Sequence, residues 1–137
     1  MQGINLMDNT GLGILLIVAV VFTVPYLLKR FSSGRAVGKT APSFEHLLPE
    51  GADVNKTLYF YFMSNNCPMC SPMSRLIEKR QTLNPNIITV NVNKMPDLVR
   101  GFYVHGTPTL LAVKNNIILK AKLGGLSEKK LKHFIDG

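Results

Sequence analysis

The chain has 137 residues, of which 46% are hydrophobic and 18% charged, and 16 Lys and Arg against 8 Asp and Glu give a formal charge of +8. That length holds one ordinary domain and an appendage. The basic residues are scattered rather than gathered into a stripe with aromatics, which argues against a nucleic-acid footprint and for a solvated surface.

The apolar excess is concentrated near the start. Residues 1–11 read as a short polar tail, and residues 12–28 (LGILLIVAVVFTVPYLL) form a 17-residue run without a charge. As a helix rising about 1.5 Å per residue it spans roughly 26 Å, near the ~30 Å hydrocarbon core of a bilayer. Pro25 falls near its end, where proline is better tolerated than at mid-helix. A cleaved signal peptide expects Lys or Arg ahead of the run and a small-residue cleavage site behind it. Neither is present, so the run predicts an uncleaved transmembrane helix. Lys29, Arg30, Arg35 and Lys39 follow it directly and suit lipid headgroups. Residues 29–39, rich in Ser, Gly and basic residues, read as a linker, and residues 40–137 as one soluble domain.

Within that domain residues 57–63 (TLYFYFM) are continuously apolar, the pattern of a central strand covered on both faces. Polar Ser64, Asn65 and Asn66 break it. From Pro68 to about Leu83 the spacing of Met73, Leu76, Ile77 and Leu83 predicts a helix, with Pro68 and Pro72 in its first turns. Asn84-Pro85-Asn86 stops it. Residues 87–92 (IITVNV) predict a second strand and residues 96–103 a short helix. Residues 109–113 and 117–122 predict two strands of an antiparallel hairpin joined at Lys114-Asn115-Asn116. After Gly124-Gly125, Ser127 suits the N-cap of a last helix over 128–135, with Leu131, Phe134 and Ile135 on one face. The order predicts an α/β domain with a mixed sheet flanked by helices.

Both cysteines of the chain lie in MSNNCPMC, residues 63–70. A zinc site needs about four ligands, and His46, His105 and His133 are isolated and far off in sequence. A copper site helped by Met69 is a second metal reading. A structural disulfide closing so short a loop removes little unfolded-state entropy. A redox couple fits the position best: at a strand-to-helix junction, Cys67 lies at or beside the helix N-terminus, where the dipole favours a thiolate. Cys70, one turn on, can attack a mixed disulfide formed by Cys67. Met69 suits an apolar contact surface for a partner.

The segment HGTPT, residues 105–109, precedes a strand, and its proline suits a turn. With CPMC, this segment, the hairpin, Gly-Gly-Leu-Ser and the last helix, the domain resembles thioredoxins over residues 57–135. The resemblance implies the thioredoxin fold and a protein thiol–disulfide oxidoreductase. Its redox centre would be a Cys67–Cys70 disulfide, with no external cofactor and no metal. Cys67 would attack and Cys70 resolve. Pro108 would be cis and face the cysteines, Thr107 would offer its backbone to an extended substrate, and Pro68 and Met69 would line the same groove. Protein disulfides or dithiols would be substrates, with an upstream electron donor or acceptor. Ala41-Pro42-Ser43-Phe44 resembles the start of the domain in membrane-tethered relatives, such as those of cytochrome maturation and methylamine utilisation. A metal or cofactor-maturation chaperone, holding metal or client with the same thiols, is the alternative.

The sequence departs from thioredoxins at three points. It has no tryptophan before Cys67, where Asn65-Asn66 stand. Tyr61 occupies the strand position, six before the first cysteine, that usually holds a buried acid. Pro-Met replaces the usual Gly-Pro between the cysteines. The positive-inside rule puts the domain on the cytoplasmic face of a cell membrane, whereas resemblance to tethered relatives points to the periplasmic or extracellular face.

Overall fold

A computed structural model of the protein describes the backbone of residues 5–137 and the side chains of residues 11–27 and 35–137. The chain divides after Ser32 into two units, Met1–Ser32 and Ser33–Gly137, and each is taken by itself.

The described residues of the first unit form one helix, α1 (Asn5–Ser32), which contains the predicted apolar run and Pro25. Its described apolar side chains are exposed around the helix, from Leu12 through Phe22 to Leu27. Thr23 turns its hydroxyl back to the helix, Oγ1 donating to the Ala19 carbonyl at 2.7 Å. Among the described residues no helix is long and apolar enough to cross a membrane. The described side chains stop at residue 27, one short of the predicted span. Most of the expected polar tail and the basic pair Lys29 and Arg30 lie outside them.

The second unit is built on a four-stranded sheet of β1 (Leu58–Met63), β2 (Ile87–Asn91), β3 (Thr109–Lys114) and β4 (Ile117–Leu123), in the order β2-β1-β3-β4. β1 runs parallel to β2 and antiparallel to β3, and β3 antiparallel to β4. The helices are α2 (Cys70–Gln81), α3 (Pro96–Gly101) and α4 (Glu128–Asp136). The mixed sheet follows from chain length between strands. A helix separates β1 from β2, whereas two residues join β3 to β4.

Those two residues are Asn115 and Asn116, with φ of 51° and 62°. Positive φ at both central positions is the requirement of the tight hairpin turn whose twist matches its strands, and Asn tolerates it. Lys114, expected in the turn, therefore belongs to β3 and pairs with Ile117.

β1 is central and buried, as its apolar run predicts. Alternate residues enter two cores. Leu58, Phe60 and Phe62 pack with Phe44, Phe102, Ile88, Val90, Leu111, Val113 and Ile118 on one face. Tyr61 packs with Met73, Ile77, Ile87, Leu110, Leu131 and Ile135 on the other. On the first face the Phe102 ring lies 4.8 Å from Phe60 and 5.3 Å from Phe62, centroid to centroid, within the range of favourable aromatic pairs. Buried Asn86 secures the start of β1. Its Nδ2 donates to the carbonyls of Asp53 and Thr57, and its Oδ1 accepts from the Asp53 N–H.

The end of the expected linker is part of this folded unit. Residues Ser33–Ala36 form a 3-10 turn with Ala36 buried. The Gly38 N–H donates to the Ile118 carbonyl, the Ile118 N–H to the Lys39 carbonyl and the Ala41 N–H to the Asn116 carbonyl. The outer edge of β4 is thereby covered over its first residues, which removes open pairing groups from that edge.

Pro42, next along, packs against the end of α3. A Cβ added at Gly101 would stand 2.8 Å from Pro42 Cβ and 3.0 Å from its Cγ. Gly101→Ala is therefore expected to cost about 1–3 kcal/mol by overpacking, read as a lowered midpoint in chemical denaturation at unchanged slope.

Candidate active site

β1 and β2 are parallel, so the loops that leave their C-terminal ends lie side by side. The loop after β1 carries both cysteines, and the structure joins them in a Cys67–Cys70 disulfide with Cα atoms 5.3 Å apart. Two consecutive turns form the loop. The Cys67 N–H donates to the Ser64 carbonyl at 3.3 Å and the Cys70 N–H to the Cys67 carbonyl at 3.1 Å. Helix α2 starts at Cys70, not at the predicted Pro68, because the second turn uses the Cys70 N–H and leaves Pro68 and Met69 outside the helix. Cys67 precedes the N-cap, Met69, by two residues. It is half-buried, whereas Cys70 is 1% exposed.

The loop is latched to its neighbour by uncharged side chains. Asn91 Nδ2 donates to Asn65 Oδ1 at 3.2 Å, and Asn93 Nδ2 donates to Ser64 Oγ at 3.3 Å. The Val92 N–H adds a backbone bond to the Met63 carbonyl at 2.9 Å. Asn65 thus has a structural task, and Ser64, Asn91 and Asn93 are site residues that sequence reasoning missed. Their signal was present: amide-rich segments stand at the C-terminal ends of two neighbouring strands, at 64–66 and 91–93.

Beneath the second cysteine lies Tyr61, fully buried. Its hydroxyl donates to the Cys70 carbonyl at 3.1 Å and is 2.9 Å from Ser74 Oγ. Burial pushes the Tyr61 phenol above its ordinary value of 10.0; the Ser74 hydrogen bond opposes that and the Glu78 charge adds to it. Tyr59 is raised as well, by burial first and then by Asp136.

The Thr107–Pro108 peptide is cis. Pro108 is buried, and its carbonyl accepts from the Gly124 N–H at 2.8 Å. Thr109 Oγ1 closes the same loop on the Gly106 carbonyl at 2.7 Å. Met69 is 57% exposed and reaches this region, since a Cβ on Gly125 would meet its methyl group at 3.8 Å. Two cavities flank the loop after β1. One of about 500 Å³ is lined by Cys67, Cys70, Ser74, Arg75 and Glu78 among others. The other, about 420 Å³, is lined by Val99, Arg100, Val104, His105, Gly106 and Thr107 among others. Ser64 is common to both walls and joins the cysteine side to the Thr107 side. Among the described residues no three His, Cys, Asp or Glu gather to hold a metal ion.

Residues 37–137 match the thioredoxin family profile, described as Thioredoxin. The chain belongs to the thioredoxin family. Among curated thioredoxins, thioredoxin H5 of Oryza sativa subsp. japonica is 29% identical over 94 residues, 67% of this chain and 70% of that protein. Thioredoxin of Buchnera aphidicola subsp. Baizongia pistaciae is 29% identical over 72 residues, 53% of this chain and 66% of that protein. Among solved thioredoxins, thioredoxin-2 of a malaria parasite is 26% identical with a TM-score of 0.53, over 64% of this chain and 88% of its own. Reduced Schistosoma mansoni thioredoxin shares the fold, with a TM-score of 0.59 at 23% identity over 72% and 91% of the two chains. Family membership with a disulfide-capable Cys67–Cys70 pair makes this chain a thiol–disulfide oxidoreductase.

The two raised tyrosines weaken the fold at alkaline pH. In the fold they stay protonated at a pH where the unfolded chain has lost those protons, so the folded state binds more protons and stability falls as pH rises past 10.0. Below that value their contribution is fully present. A spectrophotometric titration of wild type against Tyr61→Phe is expected to show the Tyr61 phenolate appearing at higher pH in the folded chain than in the denatured chain.

Proposed function

We propose that this thioredoxin-family chain is a membrane-tethered reductant of protein disulfides, with its redox domain on the cytoplasmic face. The observation that carries the chemistry is the paired exposure of the cysteines. Cys67 is half-buried at the lip of a 500 Å³ cavity and Cys70 is sheltered one turn further in. That division suits an attacking thiol and a resolving thiol. Cys67 thiolate attacks one sulfur of a substrate disulfide, and the other substrate sulfur leaves as a thiolate. Cys70 then displaces the bound substrate sulfur, which closes the Cys67–Cys70 disulfide and completes a two-electron reduction of the substrate. An upstream dithiol donor restores the pair. Pro68, Met69, Thr107 and Pro108 line the substrate groove, and the exposed Met69 gives it an apolar contact. The Thr107 backbone pairs with an extended substrate segment.

The tether reading is supported by the uncharged run at 12–28, by its containment in the single helix α1, and by its exposed apolar side chains. The cytoplasmic face is supported by Lys29, Arg30, Arg35 and Lys39 after the run, with no Lys or Arg before it.

The test uses the full-length chain in mild detergent with a protein disulfide substrate such as insulin. Wild type is expected to turn over with a dithiol donor, Cys67→Ser to lose activity entirely, and Cys70→Ser to trap substrate as a mixed disulfide. No turnover, coupled with tight stoichiometric copper binding, overturns the reading in favour of a metal-handling role. For the tether and its side, the chain is expected in the membrane fraction, with its thiols labelled by a membrane-impermeant reagent only after lysis. Labelling in intact cells places the domain outside, and a chain found only in the soluble fraction removes the tether.

A further inference from the structure

The exchange reaction proposed above, on which this inference rests, has a second step that depends on where Cys70 is held. Cys70 opens α2, yet the helix has no side-chain cap: Met69 occupies the N-cap and its side chain makes no capping bond. The first turn is held on its N–H side by the backbone alone, the Cys70 N–H donating to the Cys67 carbonyl. Among the described residues the one side-chain hydrogen bond to Cys70 comes from the sheet below, where Tyr61 Oη donates to its carbonyl at 3.1 Å. The same oxygen is 2.9 Å from Ser74 Oγ, one turn along α2. One hydroxyl of β1 therefore clamps two successive turns of the helix that carries the resolving thiol.

We propose that Tyr61 is the positioning residue of the resolving step, its hydroxyl fixing Cys70 for attack on Cys67 through the Cys70 carbonyl. The clamp is neutral. The charged residues that line the cavity beside Cys70, Arg75 and Glu78, both belong to α2. The residues packed around Tyr61 from β2, β3 and α4, namely Ile87, Leu110, Leu131 and Ile135, are apolar. Cys70, Ser74 and Glu78 lie four residues apart on one stripe of α2 and share the cavity wall.

In the step itself the Cys70 Sγ proton passes to water in that cavity. The thiolate attacks Cys67 Sγ, and the bond between Cys67 and the substrate sulfur breaks. Its electron pair leaves on the substrate sulfur, which takes a proton from water. The two protein thiols are oxidised to a disulfide and the substrate is reduced by two electrons.

The test separates the two steps in the full-length chain in mild detergent, with a peptide disulfide as probe. Tyr61→Phe removes the hydroxyl and keeps the ring. Acid-quenched single turnovers are expected to show the mixed disulfide resolving about tenfold more slowly. The first attack by Cys67, read in Tyr61→Phe/Cys70→Ser against Cys70→Ser alone, is expected to stay within about twofold. Ser74→Ala is expected to slow resolution in the same direction and by less. Unchanged resolution in Tyr61→Phe overturns the proposal. So does equal slowing of both steps, which makes Tyr61 a packing residue only. If Tyr61→Phe does not fold, Ser74→Ala is judged by the same two rates. Failure of the parent reading is distinct: Cys70→Ser then forms no mixed disulfide at all.

Discussion

Alternate side chains of β1 enter two different cores, and the position of everything else depends on that. Phe60 and Phe62 face the aromatic cluster around Phe102, while Tyr61 between them faces α2 and α4. A strand buried on both faces cannot slip by one residue without exchanging the two sets. Its C-terminal end is therefore a fixed point, and the reactive loop begins there. The parallel pairing with β2 brings a second loop to the same end of the sheet, and the two are stitched by Ser64, Asn65, Asn91 and Asn93.

The same alternation gives Tyr61 its double role. Its ring is part of the core under α2, and its hydroxyl is the one polar group it carries into that core. A buried hydroxyl without a partner would cost roughly 1–3 kcal/mol. The Cys70 carbonyl and Ser74 supply the partners, so the bonds that satisfy Tyr61 also tie β1 to the first turns of α2. A carboxylate at that position would bring a charge into the same apolar surroundings and would titrate. The phenol stays neutral throughout the physiological range.

Much of this was legible in the sequence. The continuous apolar run at 57–63, the β-branched run after Asn86 and the capped amphipathic C-terminal helix each carry one strong local signal, and each element was found where expected. The resemblance carried by CPMC and HGTPT led to the family. Legibility failed where local rules compete with tertiary bonds. Pro68 favours a first helical turn, yet the Cys67 carbonyl captures the Cys70 N–H and postpones the helix. Composition reads residues 36–39 as linker, yet their backbone groups find partners on the edge of β4, which no periodicity reveals. Nor could spacing alone show that Asn65 and Asn91, 26 positions apart, face one another across two parallel strands.

The latch on the reactive loop also governs how the site responds to its surroundings. Its side chains are a hydroxyl and three amides, none of which ionises, and none of its bonds is an ion pair. Mobile ions screen charge–charge attraction strongly beyond about 8–10 Å and leave dipolar hydrogen bonds almost untouched. Neither salt nor a change between acidic and neutral pH therefore acts directly on the bonds that hold the turn presenting Cys67. Ionic strength can change how fast a charged partner arrives, through Arg75, Glu78 and Arg100 around the cavities, without altering the thiol geometry that the partner meets.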